Sequence, residues 1–149
     1  MNSALLSSKK MDWCTPKDFF DKLDAEFHFA LDAAATDKSA KCPQYFTPET
    51  DGLSQSWNIG GAVFCNPPYG REIGKWVEKA YKEHLAGVPT IVLLIPARTD
   101  TQYFHEYIYG KAEIRFVRGR LRFEDEDGTK ADAAPFPSMV VIYRKEHAG

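Results

Sequence analysis

The run Thr90-Ile91-Val92-Leu93-Leu94-Ile95 is apolar after its first residue, rich in branched side chains, and stopped by Pro96. Such a run reads as a strand covered on both faces, as the central strands of parallel sheets are. A doubly covered strand needs helical layers on either side, and the flanking sequence supplies them. Ile73, Trp76, Val77, Ala80 and Tyr81 recur at helical spacing before it, and the segment from Thr101 to Tyr109 is expected to be helical after it. An earlier helix is predicted from Phe19, Phe20, Leu23 and Phe27, with Thr15 as N-cap and Pro16 at the first helical position.

Two shorter stretches, Phe29-Ala30-Leu31-Asp32 and Ala62-Val63-Phe64-Cys65, have the same buried-strand character. The first ends on an acid, and the second runs directly into Asn66-Pro67-Pro68-Tyr69-Gly70. Further strands are expected at 114–117, at 121–123 on the far side of Gly119, and at 139–143. Residues 38–58 carry Pro43, Pro48 and Gly52 and read as loop with room for one short helix. Strands alternating with helices define an α/β sheet, whose ligands lie beyond the carboxyl ends of its strands. Asp32 and Asn66 occupy such ends. The reading divides the chain into a loose tail at 1–10, polar and ending in Lys9-Lys10, and a single domain at 11–149.

Composition removes several classes of function. With 149 residues and 44% hydrophobic content, one core is expected. Apolar runs fall short of a membrane span or a signal-peptide core, so no membrane role and a cytoplasmic location are expected. Cys14, Cys42 and Cys65 are widely separated and read as reduced thiols. With His28, His84, His105 and His147 also scattered, no metal site is expected. A net charge of −2 excludes a protein that holds nucleic acid by bulk charge, so any such contact must be local.

The tetrapeptide Asn66-Pro67-Pro68-Tyr69 carries the most chemistry. Each proline pushes the residue before it into extended backbone, which stiffens the loop. The Asn66 amide oxygen and the Pro67 carbonyl then present two acceptors to one planar amino group, and Tyr69 offers a ring to stack on the heterocycle that bears it. The exocyclic nitrogen of adenine is a poor nucleophile because its lone pair is delocalised; two fixed acceptors draw its N–H bonds toward a tetrahedral arrangement and free that pair. Attack on a sulfonium methyl group then needs mainly positioning and electrostatics. A base treated in this way must be flipped out of the duplex.

Asp32 is suited to pairing with the amino group of the methionine portion of S-adenosylmethionine, and the small Ala33 and Ala34 allow close approach of that ligand. Asp51, 15 residues before Asn66, is placed to accept from the ligand's adenine amino group. For both, a cap or turn aspartate is the alternative. Lys111, Arg115, Arg118, Arg120 and Arg122 form a basic strip suited to phosphates, or else a solvated charged hairpin. Arg71, just past the tetrapeptide, and Arg98, just past the long strand, are further DNA-contact candidates, and Phe136 is a candidate second wall for a flipped base or a core residue.

On these residues the chain resembles the small phage-encoded DNA N-6-adenine methyltransferases. The resemblance runs from Asp12-Trp13-Cys14-Thr15-Pro16 through Leu31-Asp32-Ala33-Ala34-Ala35, Tyr45-Phe46-Thr47, Asp51-Gly52-Leu53 with Trp57, and Asn66-Pro67-Pro68-Tyr69. It continues through Leu94-Ile95-Pro96-Ala97 with Thr99-Asp100-Thr101 to Gly119-Arg120-Leu121-Arg122-Phe123. It implies a reduced Rossmann-like S-adenosylmethionine-dependent methyltransferase sheet with flanking helices, acting on double-stranded DNA in the cytoplasm of a bacterial host. By resemblance, the Trp13, Thr15 and Pro16 segment contacts the methionine end of the cofactor, Asp32 pairs with it, Asp51 faces its adenine, and Asn66 to Tyr69 hold the target base, with Asn66 also bordering the cofactor. Protection from restriction is the role that the resemblance implies.

Two features depart from the pattern. No acid follows a second strand to hold the cofactor ribose, and no separate target-recognition domain is evident. The tetrapeptide alone also fits glutamine side chains of a protein or bases of RNA, and a catalytically inactive DNA-binding relative would keep the fold. A homodimer covering a palindromic site is a further expectation.

Overall fold

The computed structural model describes residues 13–145. The expected tail at 1–10 and His147 lie outside them. A helix, α1 (Lys17–Phe27), leads into strand β1 (Phe29–Asp32) through His28, which adopts left-handed backbone with φ 56°. Then come β2 (Gln44–Tyr45), a 3-10 turn at Gly52–Ser54, β3 (Ala62–Cys65), α2 (Ile73–Leu85) and β4 (Thr90–Pro96). A π-helical turn at Phe104–Ile108, β5 (Glu113–Phe116) and β6 (Ser138–Arg144) complete the order.

The strands form one six-stranded sheet in the order β2-β1-β3-β4-β6-β5. β2, β1, β3 and β4 run parallel, and β6 is inserted antiparallel between β4 and β5. This is a mixed α/β architecture compatible with a Rossmann-like fold. The four adjacent parallel strands end at one edge, which gathers Asp32, Tyr45, Cys65 and Pro96, and β6 begins there because Ser138 pairs with Pro96. Pro96 can close β4 because it lacks the N–H that a continuing ladder would use.

The core forms where the sequence is most apolar. Ile91, Val92, Leu93, Leu94 and Ile95 are all inaccessible to solvent, as are Val141 and Ile142 across the β4–β6 ladder. Under the other end of the sheet, Phe20 of α1 meets Phe29 and Phe64 with ring centroids 5.5 and 5.1 Å apart. At about 25 cal/mol per Å² of apolar surface, such rings dominate local stability.

Four expectations are corrected. Thr15 is not the N-cap, since α1 begins at Lys17 with Pro16 in the cap position at ψ 136°. The capping acceptor comes instead from a distant acid, as the Lys17 N–H donates to Glu124 Oε2 at 3.1 Å. Residues 38–58 are not all loop, because β2 adds a short parallel strand beside β1. The segment 121–123 is not a sheet strand: its carbonyls accept from Ala134 and Ala131, and the adjoining Glu124 bridges Cys14. The helix expected at Thr101–Tyr109 is present but differs in winding, with Gln102 and Tyr103 α-helical and Phe104–Ile108 widened into a π turn. No helix among the described residues is long and apolar enough to cross a membrane.

Candidate active site

A cavity of about 190 Å³ opens at the carboxyl edge of the parallel strands. Its floor is the loop after β1, from Asp32 to Thr36, together with Phe64 and Asn66 at the end of β3. One wall is the Trp13-Cys14-Thr15 segment; the other runs from Phe46 to Pro48 and on to Asp51 and Gly52. Backbone hydrogen bonds fix this frame, with Ala33 N–H donating to Phe64 O at 2.9 Å and Phe46 N–H to Asp32 O at 3.0 Å. Gly52 is required by close approach, since a Cβ there would lie 2.3 Å from the Ala33 carbonyl oxygen. The 3-10 turn is thereby pressed onto the β1 loop, and Trp57 Nε1 locks it by donating to Gly52 O at 2.9 Å. Asp51 sits at the mouth of this turn in left-handed backbone, φ 56°.

Among the described residues, three buried side-chain atoms lack a hydrogen-bond partner: Asp32 Oδ1, Asn66 Oδ1 and Ser138 Oγ. Two of these belong to residues of the same cavity. Buried polar atoms are nearly always satisfied, so paired orphans in one cavity mark where water or a polar ligand is held.

The Asn66 orientation has a specific cause. Its Nδ2 donates to Trp13 O at 2.6 Å and to Thr15 Oγ1 at 3.0 Å, which uses both amide hydrogens. Turning the amide over would set its oxygen against the Trp13 carbonyl, two acceptors with no hydrogen between them. Oδ1 is therefore the free atom. Sequence reasoning missed this link, because the Trp13 carbonyl contributes through backbone and carries no residue signal.

Asp32 is 3% exposed and its Oδ2 accepts from the Lys41 backbone N–H at 3.0 Å. Burial pushes its carboxyl up to about 6, against the opposing effect of backbone N–H groups of Lys41 and Ala34 and of the Lys41 charge. A cation at Oδ1 would favour the ionised form.

The structure brings Trp13, Thr15, Asp32, Ala33, Ala34, Asp51, Asn66, Pro67 and Pro68 together around the cavity. It leaves out Pro16, which lines a neighbouring groove. Tyr69 is placed differently from the expected open stacking ring. It is 6% exposed, its hydroxyl donates to Leu94 O at 3.0 Å, and its ring meets Phe123 and Phe136 edge-on at 6.2 and 5.7 Å. Trp13 touches the same two phenylalanines, both at 5.4 Å, so Phe136 belongs to an aromatic cluster over Tyr69. Burial pushes the Tyr69 phenol well up, keeping it a donor.

The basic strip does not act as a unit. Arg115 is committed to a bidentate pair with Glu26, both contacts 2.7 Å, and to Glu113 at 3.0 Å, with the Phe27 ring against its guanidinium. It is not a free cation for a phosphate. Arg71, Arg98 and Arg118 are exposed, while Arg120 and Arg122 line the neighbouring groove. Sequence reasoning also missed Thr36, Lys41 and Glu126 as cavity residues. Glu126 accepts from the Thr36 hydroxyl across 90 positions of chain, a contact with no local signature.

A cavity at the carboxyl edge of a mostly parallel sheet, with two unpaired acceptors in its lining, has the location that ligand sites take in α/β proteins. The chain belongs to the DNA N-6-adenine-methyltransferase (Dam) family, whose model matches residues 2–148. It is 33% identical over 119 residues to the DNA N-6-adenine-methyltransferase of Escherichia phage T1, covering 79% of this chain and 49% of that protein. It is 28% identical over 144 residues to the DNA N-6-adenine-methyltransferase of Haemophilus phage HP1, covering 92% and 82% respectively. The chain thus spans about half the length of the T1 relative.

Proposed function

We propose that the protein transfers a methyl group from S-adenosylmethionine to the N6 amino group of adenine in double-stranded DNA, on a reduced Rossmann-like methyltransferase sheet. The observation that carries this reading is the pair of orphaned acceptors, Asp32 Oδ1 and Asn66 Oδ1, in one cavity. Membership of the Dam family supports the choice of substrate.

The cavity fits the cofactor chemically. S-adenosylmethionine carries a cationic amino group, and Asp32 is a buried carboxyl lacking a counter-charge at Oδ1. Asp32 would hold that amino group; Asp51, on the wall that also carries Phe46, would hold the adenine end. Trp13 and Thr15 contribute chiefly by fixing Asn66. When bound, the cofactor supplies an electrophilic methyl group on a sulfonium centre.

The remaining chemistry is assigned to this chain's own atoms. Asn66 Oδ1 accepts one N–H of the target amino group, and the Pro67 carbonyl accepts the second. Both acceptors are set before substrate arrives, Asn66 by Trp13 and Thr15 and the Pro67 carbonyl by the Pro68 ring that follows it. Such preorganisation lowers the reorganisation needed at the moment of transfer. Held by these two oxygens, the amino nitrogen would present its lone pair for methylation; the surplus proton would then pass to solvent, since the amide and peptide oxygens are too weakly basic to keep it.

Digestion of plasmid DNA incubated with the protein and S-adenosylmethionine, followed by mass spectrometry of the nucleosides, tests this directly. N6-methyladenine is expected. Methylated cytosine alone, or no methylated nucleoside, would refute the substrate assignment.

A further inference from the structure

Beside the cavity lies a groove of about 180 Å³ with unusual charge. Lys22 of α1 forms one side; Arg120, Arg122 and Lys130 form the other, and Pro16 and Phe19 lie between them. Four cations meet here in a chain whose net charge is −2. Asp18 also lines the groove and holds Lys130 at 3.6 Å, and Glu124 holds the same ammonium at 3.4 Å, so a cationic surplus remains. Assembling like charges in a shallow groove costs free energy unless an anion uses them.

The arginines are oriented while keeping donors free. Arg122 spends only Nε, on Ala131 O at 2.9 Å, and Arg120 only Nη1, on Ala134 O at 3.2 Å. Lys22 is exposed and has no ion pair among the described residues. Arg115 is the contrast, with its guanidinium consumed by Glu26 and Glu113. Guanidinium groups anchored by one N–H and open at the others suit the repeated oxygens of a phosphodiester chain.

Position identifies the strand concerned. Pro16 lines the groove, while Thr15, one residue earlier and about 3.8 Å away along the backbone, lines the cavity and holds Asn66. Arg122 likewise lines the groove next to Phe123, which packs on Trp13 and Tyr69. We propose that this groove seats the phosphodiester backbone of the DNA strand that delivers its base to Asn66, with Lys22, Arg120 and Arg122 contacting phosphate oxygens while Lys130 stays paired with Asp18 and Glu124. The proposal rests on reading the cavity as a DNA methylation site.

The test is fluorescence anisotropy of the full chain with labelled duplex DNA across a salt series, alongside calorimetry with S-adenosylmethionine and a methyl-transfer assay. Each lost phosphate contact makes the log–log salt dependence shallower by about 1. Arg120→Gln with Arg122→Gln is therefore expected to reduce the slope by about 2, and Lys22→Glu by about 1, with cofactor binding retained in each. Because the arginines also hold backbone carbonyls, Lys22→Glu carries the test if the double variant does not fold. Wild-type protein that binds and methylates DNA while these variants keep its slope would overturn the groove alone. Wild-type protein that neither binds nor methylates DNA would overturn both readings, and equal groove-dependent affinity for duplex RNA would overturn the assignment to DNA.

Discussion

The floor of the cavity and the basic segment beside it are built in opposite ways. Asp32 and Asn66 stand at the ends of β1 and β3, held by sheet hydrogen bonds, and their free oxygens are defined by what the rest of each side chain already does. Residues 117–137 contain no strand of the sheet and are tied down by isolated contacts: Glu124 to Cys14 and Lys17, Glu126 to Thr36, Arg120 to Ala134. The first region fixes atoms; the second distributes charge. Reaction chemistry needs fixed atoms, whereas a flexible polyanion is held by charge and tolerates looser geometry.

The comparison is tested most severely at Asp32. Asp32→Asn is expected to weaken S-adenosylmethionine binding by about a hundredfold, the loss of a buried charged pair costing several kcal/mol, as read by calorimetry. The same variant should be more stable without ligand. Burial raises the Asp32 carboxyl to about 6 in the folded protein, so its folded-state pKa lies above the unfolded value of 3.8. Stability from this group is full below pH 3.8 and is lost as pH rises through about 6. The shift corresponds to about 3 kcal/mol at neutral pH. Thermal melts of wild type and Asp32→Asn should therefore converge as pH falls from 8 toward 4, and parallel melts would contradict this.

Gly52→Ala addresses the frame. A methyl group 2.3 Å from the Ala33 carbonyl forces the 3-10 turn outward, with a stability loss of about 1–3 kcal/mol by denaturant titration. Cofactor affinity should fall with it, since Asp51 moves with the turn. Thr15→Val is subtler. It leaves one Asn66 N–H without its acceptor, at a cost of about 1–3 kcal/mol, and the turnover rate should drop about tenfold with little change in cofactor affinity. Equal losses in both would mean that Thr15 holds the cofactor itself. At the small end, Arg115→Gln should leave the salt dependence of DNA binding unchanged, because its charge is already neutralised by Glu26 and Glu113. A slope shallower by about 1 would show instead that Arg115 reaches a phosphate.

The same contrast explains what could be read from sequence. The apolar runs at 29–32, 62–65 and 90–95 announce their strands because burial on both faces demands unbroken hydrophobicity, and the ends of the first two place Asp32 and Asn66 in the cavity lining. Leu121-Arg122-Phe123 has a similar pattern, yet its backbone bonds go to Ala131, Ala134 and, one residue on, Cys14, partners set by tertiary packing alone. Thr15 looks like a cap by residue type, but the helix starts two residues later and its hydroxyl serves Asn66. β2 has only two residues and no periodicity to detect. Arg115 and Arg122 are indistinguishable in sequence; only the fold brings Glu26 to one and leaves the other open.

In the proposed reaction Asn66 Oδ1 serves the target amino group while a different atom of the same cavity, Asp32 Oδ1, serves the cofactor. Measuring S-adenosylmethionine affinity and the rate of methyl transfer to DNA on one preparation of Asn66→Ala separates them. The prediction is cofactor affinity within a few-fold of wild type and a transfer rate reduced by at least about a hundredfold, the usual loss when one preorganised hydrogen-bonding group is removed. Cofactor binding lost in parallel with transfer, or transfer that persists at the wild-type rate, would contradict the account.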